Sequence, residues 1–295
     1  MFLLSRPRSA TVSTAEEPIG LLAGWGRYPV YIAEKARNMG IPVICVGIRG
    51  MADRAALEPL VKRFYWTRLA SMNRPIRCFV KEGARRWTMA GKVHKVKLFS
   101  AFRWITLLPD LRMLRFWFNR RRKDNRDDTI TLGIINEFAK DGLVCTSPLE
   151  LCPELLVRSG TLTQRKPSES ENRDITFGWE MAKEMGRIDV GQSVMVRDRV
   201  VLAVEAIEGT DRAIQRAGEL CKVRGFVVVK VAKPQQDMRF DVPTIGVSTI
   251  ETMYKSGAKV LAIEAGKTII LDELQTIALA NRYGIAITAL ENTPA

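Results

Sequence analysis

The run 230–246, KVAKPQQDMRFDVPTIG, holds the densest set of residues in the chain able to do chemistry. In extended form side chains alternate between faces, so Asp237, Arg239 and Asp241 share one face while Met238, Phe240 and Val242 share the other. Two carboxylates flanking a guanidinium suit a phosphate ester, because oxygen ligands accept a hard divalent ion and arginine neutralises phosphoryl charge. Lys233 adds a second cation, and repulsion between the acids is relieved by Arg239, Lys233 or a metal. A surface loop whose acids and arginine merely satisfy one another has the same composition, so both readings stand at this point.

A second cluster, VVLAVEAIEGTD at 200–211, ends a strand in Glu205, Glu208, Gly209, Thr210 and Asp211 just before a helix. Gly209 permits a tight turn, Thr210 can cap, and the first amides of the helix point towards an anion, with acids close by for Mg2+. A capped helix with solvated acids fits the same residues. His94 is the only histidine, which sets aside Ser-His-Asp and Cys-His mechanisms and histidine-based transition-metal centres. The cysteines at 45, 78, 145, 152 and 221 are odd in number and lack a C-x-x-C pair, so reduced thiols, a cytoplasmic compartment and no chemical role are expected.

Regular elements must hold these residues in place. Residues 19–23 read as a strand and 24–28 as a turn, Pro29 suits the first position of a helix ending at Gly40, and 42–48 read as a second buried strand. That β-α-β unit predicts a parallel, Rossmann-like sheet. Pro29 stands where a dinucleotide fingerprint needs its third glycine and no acid follows the second strand, which argues against NAD. The amides around Gly24 and Gly26 can still receive a phosphate.

Ser147 to Glu150 has the pattern of a capping box opening a short helix. Residues 160–173, polar and without apolar periodicity, read as an interdomain linker. Beyond it the pattern predicts a helix at 175–185, a hairpin turning at Asp198-Arg199, a helix at 211–222 and a strand at 226–232. A capping box at Ser248 to Glu251, a strand at 259–264, a helix at 272–282 and a strand at 285–290 follow. The expected fold class is α/β with two α/β domains: a flexible extension 1–18, a Rossmann-like domain 19–159, the linker 160–173 and a catalytic domain 174–295.

A length of 295 residues with 46% hydrophobic and 26% charged content fits two ordinary globular cores. The net charge of +14 is concentrated: residues 49–126 carry 21 Lys and Arg against 5 Asp and Glu, so a whole-protein nucleic-acid role is excluded. Within that span 98–122 sets large aromatics beside Arg103, Arg112 and Arg115, with Pro109 splitting two short helical pieces. Such a segment meets anionic headgroups or an acylated anionic ligand, or else packs on the core with a solvated basic face. No apolar stretch approaches the ~20 residues of a spanning helix, and the apolar run at 2–4 is too short for a signal peptide.

Taken in order, AGWGRYP, GLVCTSPLELCPELL, DVGQSVMVRDRVVLAVEAIEGTD and KPQQDMRFDVPTIG resemble the UDP-2,3-diacylglucosamine pyrophosphatase family of the LpxI type across 19–290. The resemblance implies Mg2+-dependent hydrolysis of UDP-2,3-diacylglucosamine to UMP and 2,3-diacylglucosamine 1-phosphate (lipid X) in lipid A biosynthesis, with water attacking the phosphorus next to the sugar. It also implies two α/β domains around an acyl-lined chamber and a homodimer, and it places the essential aspartate in the QDMRFD block, at Asp237 or Asp241. Asp237, Asp241, Glu208 and Asp211 are then the expected metal ligands, while Lys233, Arg239, Gly24, Gly26, Gly209 and Thr210 bind substrate. Peripheral contact with the inner membrane and no nucleic-acid partner complete the expectation. Trp25, in a turn where the family usually has a smaller residue, and the heavy basic-aromatic segment depart from the family pattern. The competing class is a non-catalytic protein binding a nucleotide or an acyl-phosphate.

Overall fold

The computed structural model describes residues 17–93, 109–120, 127–223 and 225–291. The extension up to residue 16, His94, and the first piece of the basic-aromatic segment lie outside the described residues.

The first unit is built on β1 (Ile19–Ala23), β2 (Val43–Ile48), β3 (Arg63–Thr67), β4 (Arg86–Ala90) and β5 (Val144–Cys145), in the spatial order β3-β2-β1-β4-β5. Every pairing in it is parallel. β2 is buried along its whole length, as a continuous apolar run must be when helices cover both faces of a parallel sheet. Helix α1 (Tyr28–Asn38) carries Pro29 in its first turn, and Gly40 takes the positive φ that follows its end. Helices α2 (Arg54–Leu57), α3 (Asn73–Lys81), α4 (Leu111–Arg120) and α5 (Asp127–Ala139) complete the unit. The expected Rossmann-like β-α-β start is present.

The second unit centres on β9 (Phe226–Lys230), β11 (Ala258–Glu264) and β13 (Ala286–Leu290), all parallel. β7 (Ser193–Arg197) runs antiparallel to β9, and β8 (Val200–Val204) forms the expected hairpin with it. Both turn residues, Asp198 and Arg199, have positive φ, and the buried carboxylate of Asp174 accepts their two amides at 2.9 and 2.7 Å.

Residues 160–173 are not the expected linker. β6 (Gly160–Thr161) pairs antiparallel with β13, and helix α6 (Glu169–Arg187) already begins inside the segment, at a capping box between Ser168 and Glu171. Polar composition misled here because the Ser and Glu cap a helix and Arg165 binds Glu171 at 2.5 Å. The capping box expected at Ser248 is likewise absent: α8 (Val247–Ser256), which follows α7 (Thr210–Leu220), is preceded by Gly246 without a side-chain cap. Helix α9 (Glu273–Tyr283) ends at Gly284, whose left-handed conformation closes it as expected.

The two units share apolar packing. β10 (Thr244–Ile245) and β12 (Ile269–Ile270) form a parallel ribbon, and Ile269 sits in the cluster that contains Ile19, Leu21 and Leu151 of the first unit. Leu156 bridges Ile269, and the amide of Val157 donates to the carbonyl of Thr268 at 2.9 Å.

Helix α6 lies so close to the second sheet that a Cβ on Gly178 would stand 2.7 Å from Val229 Cγ2. Gly178→Ala gains about 1 kcal/mol of helix propensity but overpacks two β-branched residues at a cost of about 1–3 kcal/mol. A net loss is therefore expected, read as a lower urea midpoint; an unchanged or higher midpoint would show that the valines yield.

Candidate functional site

Beyond β9 the chain leaves the sheet and turns sharply. The carbonyl oxygen of Asp237 accepts the amides of Phe240 and Asp241 at 3.2 and 3.1 Å, and its carboxylate accepts the Arg239 amide at 3.0 Å. This is a side-chain-stabilised turn, so the strand alternation expected for 237–241 does not apply. Asp237 and Arg239 nonetheless meet: the guanidinium holds both carboxylate oxygens, at 2.6 Å for the closest contact. That bond, against a smaller opposing effect of burial, holds the Asp237 carboxyl below its ordinary range.

Lys233 is committed elsewhere. Its ammonium lies 2.5 Å from Asp189 with both side chains nearly buried, and 4.0 Å from Asp241. Gln236 spans the turn, accepting from the Lys233 amide and donating to the Asp241 carbonyl. The loop also rests on the first unit: Ser147 donates to the Met238 carbonyl at 2.8 Å and Phe240 packs against the cluster that holds Trp87 and Phe138, while Val242 packs against the cluster that Ile19 and Leu21 share with Ile269. The acids thus lie over the carboxyl end of β5, at the edge where open parallel sheets bind ligands.

The second expected cluster is organised differently from its sequence reading. Gly209, with φ of 85°, precedes α7 and no side chain caps the helix. The Thr210 hydroxyl instead donates to Glu205 Oε1 at 2.9 Å and accepts from the Lys230 ammonium at 2.7 Å. Glu208 is drawn to Arg216 at 2.8 Å. Glu205 and Lys230 are both buried, and Glu205 Oε2 and Asp211 Oδ1 are enclosed without a hydrogen-bond partner. Burial works against ionisation of Glu205, but the charge of Lys230, the hydroxyls of Ser193 and Thr210, and the charge of Lys92 outweigh it and keep the carboxyl below its ordinary range. Gly191 is required behind it, since a Cβ there would collide with the Glu205 carbonyl oxygen.

Lys92 belongs to the first unit. It pairs with Trp25, whose amide donates to the Lys92 carbonyl at 2.9 Å, while the Gly24 amide donates to Ala90 at 2.8 Å. The Gly24 amide is therefore spent on the β4 side and is not open to a phosphate. Glycine is needed for close approach: a Cβ on Gly24 would lie 2.9 Å from the Lys92 carbonyl, and one on Gly91 2.8 Å from Gly24 itself. Gly26 takes a φ of 105°. The turn sits between β1 and β4, where the strand order reverses.

The four acids expected to share a metal do not converge. Among the described residues no three His, Cys, Asp or Glu come together, because Asp237 is held by Arg239 and Glu208 by Arg216. Among the described acids, those with buried carboxylate oxygens that lack a hydrogen-bond partner are Glu205 and Asp211. Lys230 and Lys92 were not singled out from sequence; a lysine inside the apolar run FVVVKVA was the available signal for the first. A cavity of about 480 Å3 lies away from all these acids, lined by Asn73, Leu111, Arg112, Arg115, Phe116 and Lys140 among others. Cys45, Cys145 and Cys152 are buried, which pushes each thiol up to about 12, consistent with no nucleophilic role.

Removing the guanidinium in Arg239→Gln should let the Asp237 carboxyl return upward towards its ordinary value, followed by carboxyl-carbon NMR titration. Because the folded-state value is depressed, the stability Asp237 contributes is present above its unfolded value and lost as pH falls through the folded one. The variant should lack that acid-side loss, and an unmoved titration would show that another group sets it.

Comparison with known proteins places both halves of the chain. The profile of the LpxI N-terminal domain matches residues 18–155, and that of the LpxI C-terminal domain matches residues 158–288. A protein of Caulobacter vibrioides named UDP-2,3-diacylglucosamine pyrophosphatase LpxI is 30% identical over 285 residues, covering 92% of this chain and 97% of that protein.

Proposed function

Because this chain belongs to the LpxI family, we propose that it is a hydrolase of the diphosphate in UDP-2,3-diacylglucosamine, releasing UMP and 2,3-diacylglucosamine 1-phosphate in lipid A biosynthesis. The observation that carries this reading is the placement of the 233–242 loop. Its two aspartates are held over the carboxyl end of the first sheet by Ser147 and Phe240, where a ligand lying between the units would meet them.

Asp241 is the more exposed of the two aspartates, and its neighbour Lys233 is already engaged by Asp189. Asp241 is therefore the better placed to orient or deprotonate a water, while Asp237 fixes Arg239 beside the loop. Mg2+ is part of the proposal, and its fit is to the unspent oxygens of Glu205 and Asp211 rather than to Asp237. When bound there it would neutralise diphosphate charge. The backbone at Gly26 and Gly209 would accommodate sugar or phosphate oxygens, since both glycines have open space where a side chain would stand.

Incubating the protein with UDP-2,3-diacylglucosamine in Mg2+ or in EDTA tests the activity, with metal-dependent UMP release expected; binding without release would favour the non-catalytic carrier. Asp237→Ala and Asp241→Ala should each lower turnover on the order of 100-fold. Near-normal turnover in both would remove the loop from the chemistry.

The proposal includes work as a homodimer at the inner face of the inner membrane, with no nucleic-acid partner. Among the described helices none is long and apolar enough to cross a membrane. Support for surface contact comes from α4, which leaves Leu111, Trp117 and Phe118 exposed while Phe116 is buried, with Arg115 also exposed. Beside it lies the 480 Å3 cavity, lined by Arg115 and by Arg112 and Lys140, which are both paired with Glu137 of the same lining. Large apolar side chains next to arginines match an anionic lipid surface. Co-sedimentation with phosphatidylglycerol vesicles should fall with added salt and with Trp117→Ser. Sedimentation indifferent to salt and to lipid charge would count against this contact.

A further inference from the structure

We propose that Lys230 is the cation that receives an anionic oxygen of the ligand at the start of α7, a role that residue spacing alone assigns to Lys233 and Arg239. The choice of a nucleoside diphosphate as ligand rests on the function proposed above; the assignment of the residue rests on geometry.

The two cations picked out by spacing are already engaged. Arg239 is bound to both oxygens of Asp237, and Lys233 is enclosed with Asp189 at 2.5 Å. Lys230 differs from both. It is 5% exposed, at the end of a strand otherwise made of Phe and Val, and its ammonium donates to the Thr210 hydroxyl at 2.7 Å. An ammonium has three donors. Among the described residues Lys230 makes no direct ion pair; the nearest acid it influences, Glu205, is reached through that hydroxyl.

Withdrawing an ammonium and a carboxylate from water is costly, and direct contact between them is the arrangement that best offsets the cost. Here they are held apart by one hydroxyl, and the acceptor side is unfinished as well. Glu205 Oε2, Asp211 Oδ1 and Gln192 Oε1 are all enclosed without a partner; Gln192 and Asp211 directly adjoin Ser193 and Thr210 in the chain, and Glu205 is the acid that accepts from the Thr210 hydroxyl. A ligand bearing anionic oxygens together with donors or a bound cation completes both halves. Lys92, whose charge acts on Glu205, lies just past β4 and bridges Trp25 at the β1 and β4 reversal, so the first unit contributes to the field at this cluster.

The test is calorimetric titration of the full chain with UDP in Mg2+, comparing Lys230→Met, Lys230→Gln and the surface control Lys35→Gln. Loss of a charge-assisted hydrogen bond predicts roughly tenfold weaker UDP binding or more in both Lys230 variants, with the control near wild type. Lys230→Gln keeps a donor for Thr210, so it preserves a folded protein should the methionine variant fail. UDP affinity within about twofold of wild type in Lys230→Gln, with only the thermal midpoint lowered, would make Lys230 structural and overturn the proposal. So would absence of measurable UDP binding to the wild type. If UDP binding depends on Lys230 but no UMP is released from the acylated substrate, this assignment stands and the hydrolase reading falls. The converse pattern, normal release with Lys230→Gln binding UDP unchanged, sinks the assignment alone.

Discussion

An ammonium and a carboxylate withdrawn from water, and joined through a single hydroxyl, constrain how the second unit can be built. Lys230 ends β9, Glu205 follows β8 and Thr210 opens α7, so three separate elements must stop at one level for the contacts to form. The approach behind them leaves no room for a side chain at Gly191. Unpaired burial of either charge would be heavily destabilising, so the strand order that brings β7 between β8 and β9 is also what makes these charges tolerable. Sheet topology and site chemistry are therefore parts of one constraint.

The loop that follows β9 answers a different requirement. The amide of Ala232 is taken by the buried carboxylate of Glu264, itself bound by Lys183 at 2.6 Å and Lys267 at 2.9 Å. Burial resists ionisation of Glu264, and the two lysines with the Ala232 amide overcome it, keeping the carboxyl below its ordinary range. That anchor fixes where the chain departs, and Asp237 then closes the turn through its own carbonyl and carboxylate. The acids of the loop are held by backbone and side-chain bonds at both ends, which suits groups that must meet a ligand in one geometry.

Much of the fold was legible because its signals are local. The β1 and β2 runs, Pro29 at the helix start, the Asp198-Arg199 hairpin and the Gly284 stop depend on residues within a few positions of one another, and each is present. The errors arose where a polar residue has a distant or unexpected partner. The 160–173 segment looked solvent-bound because sequence does not show Thr163 accepting the amide of Ile287. The site was legible as a neighbourhood and less so as a set of roles. The DMRFD block does lie against the first sheet, but period-two reasoning assumed a strand where Asp237 makes a turn. Lys230 was hidden in an apolar run because its hydroxyl and carboxylate partners come from 20 and more residues upstream.

Ile269 gives the two units an unequal dependence on each other. It is carried by the second unit's ribbon yet fills the core beside β1, with Leu156 bridged to it and Val157 donating to its neighbour Thr268. Cutting the chain between the halves would strip an interior side chain from the first and leave an oily flank on it. Evolution could thus have exchanged this pair as a whole far more readily than either half alone, and a hinge that opened widely would wet the same surface, so opening the units apart carries the cost of exposing that shared apolar contact.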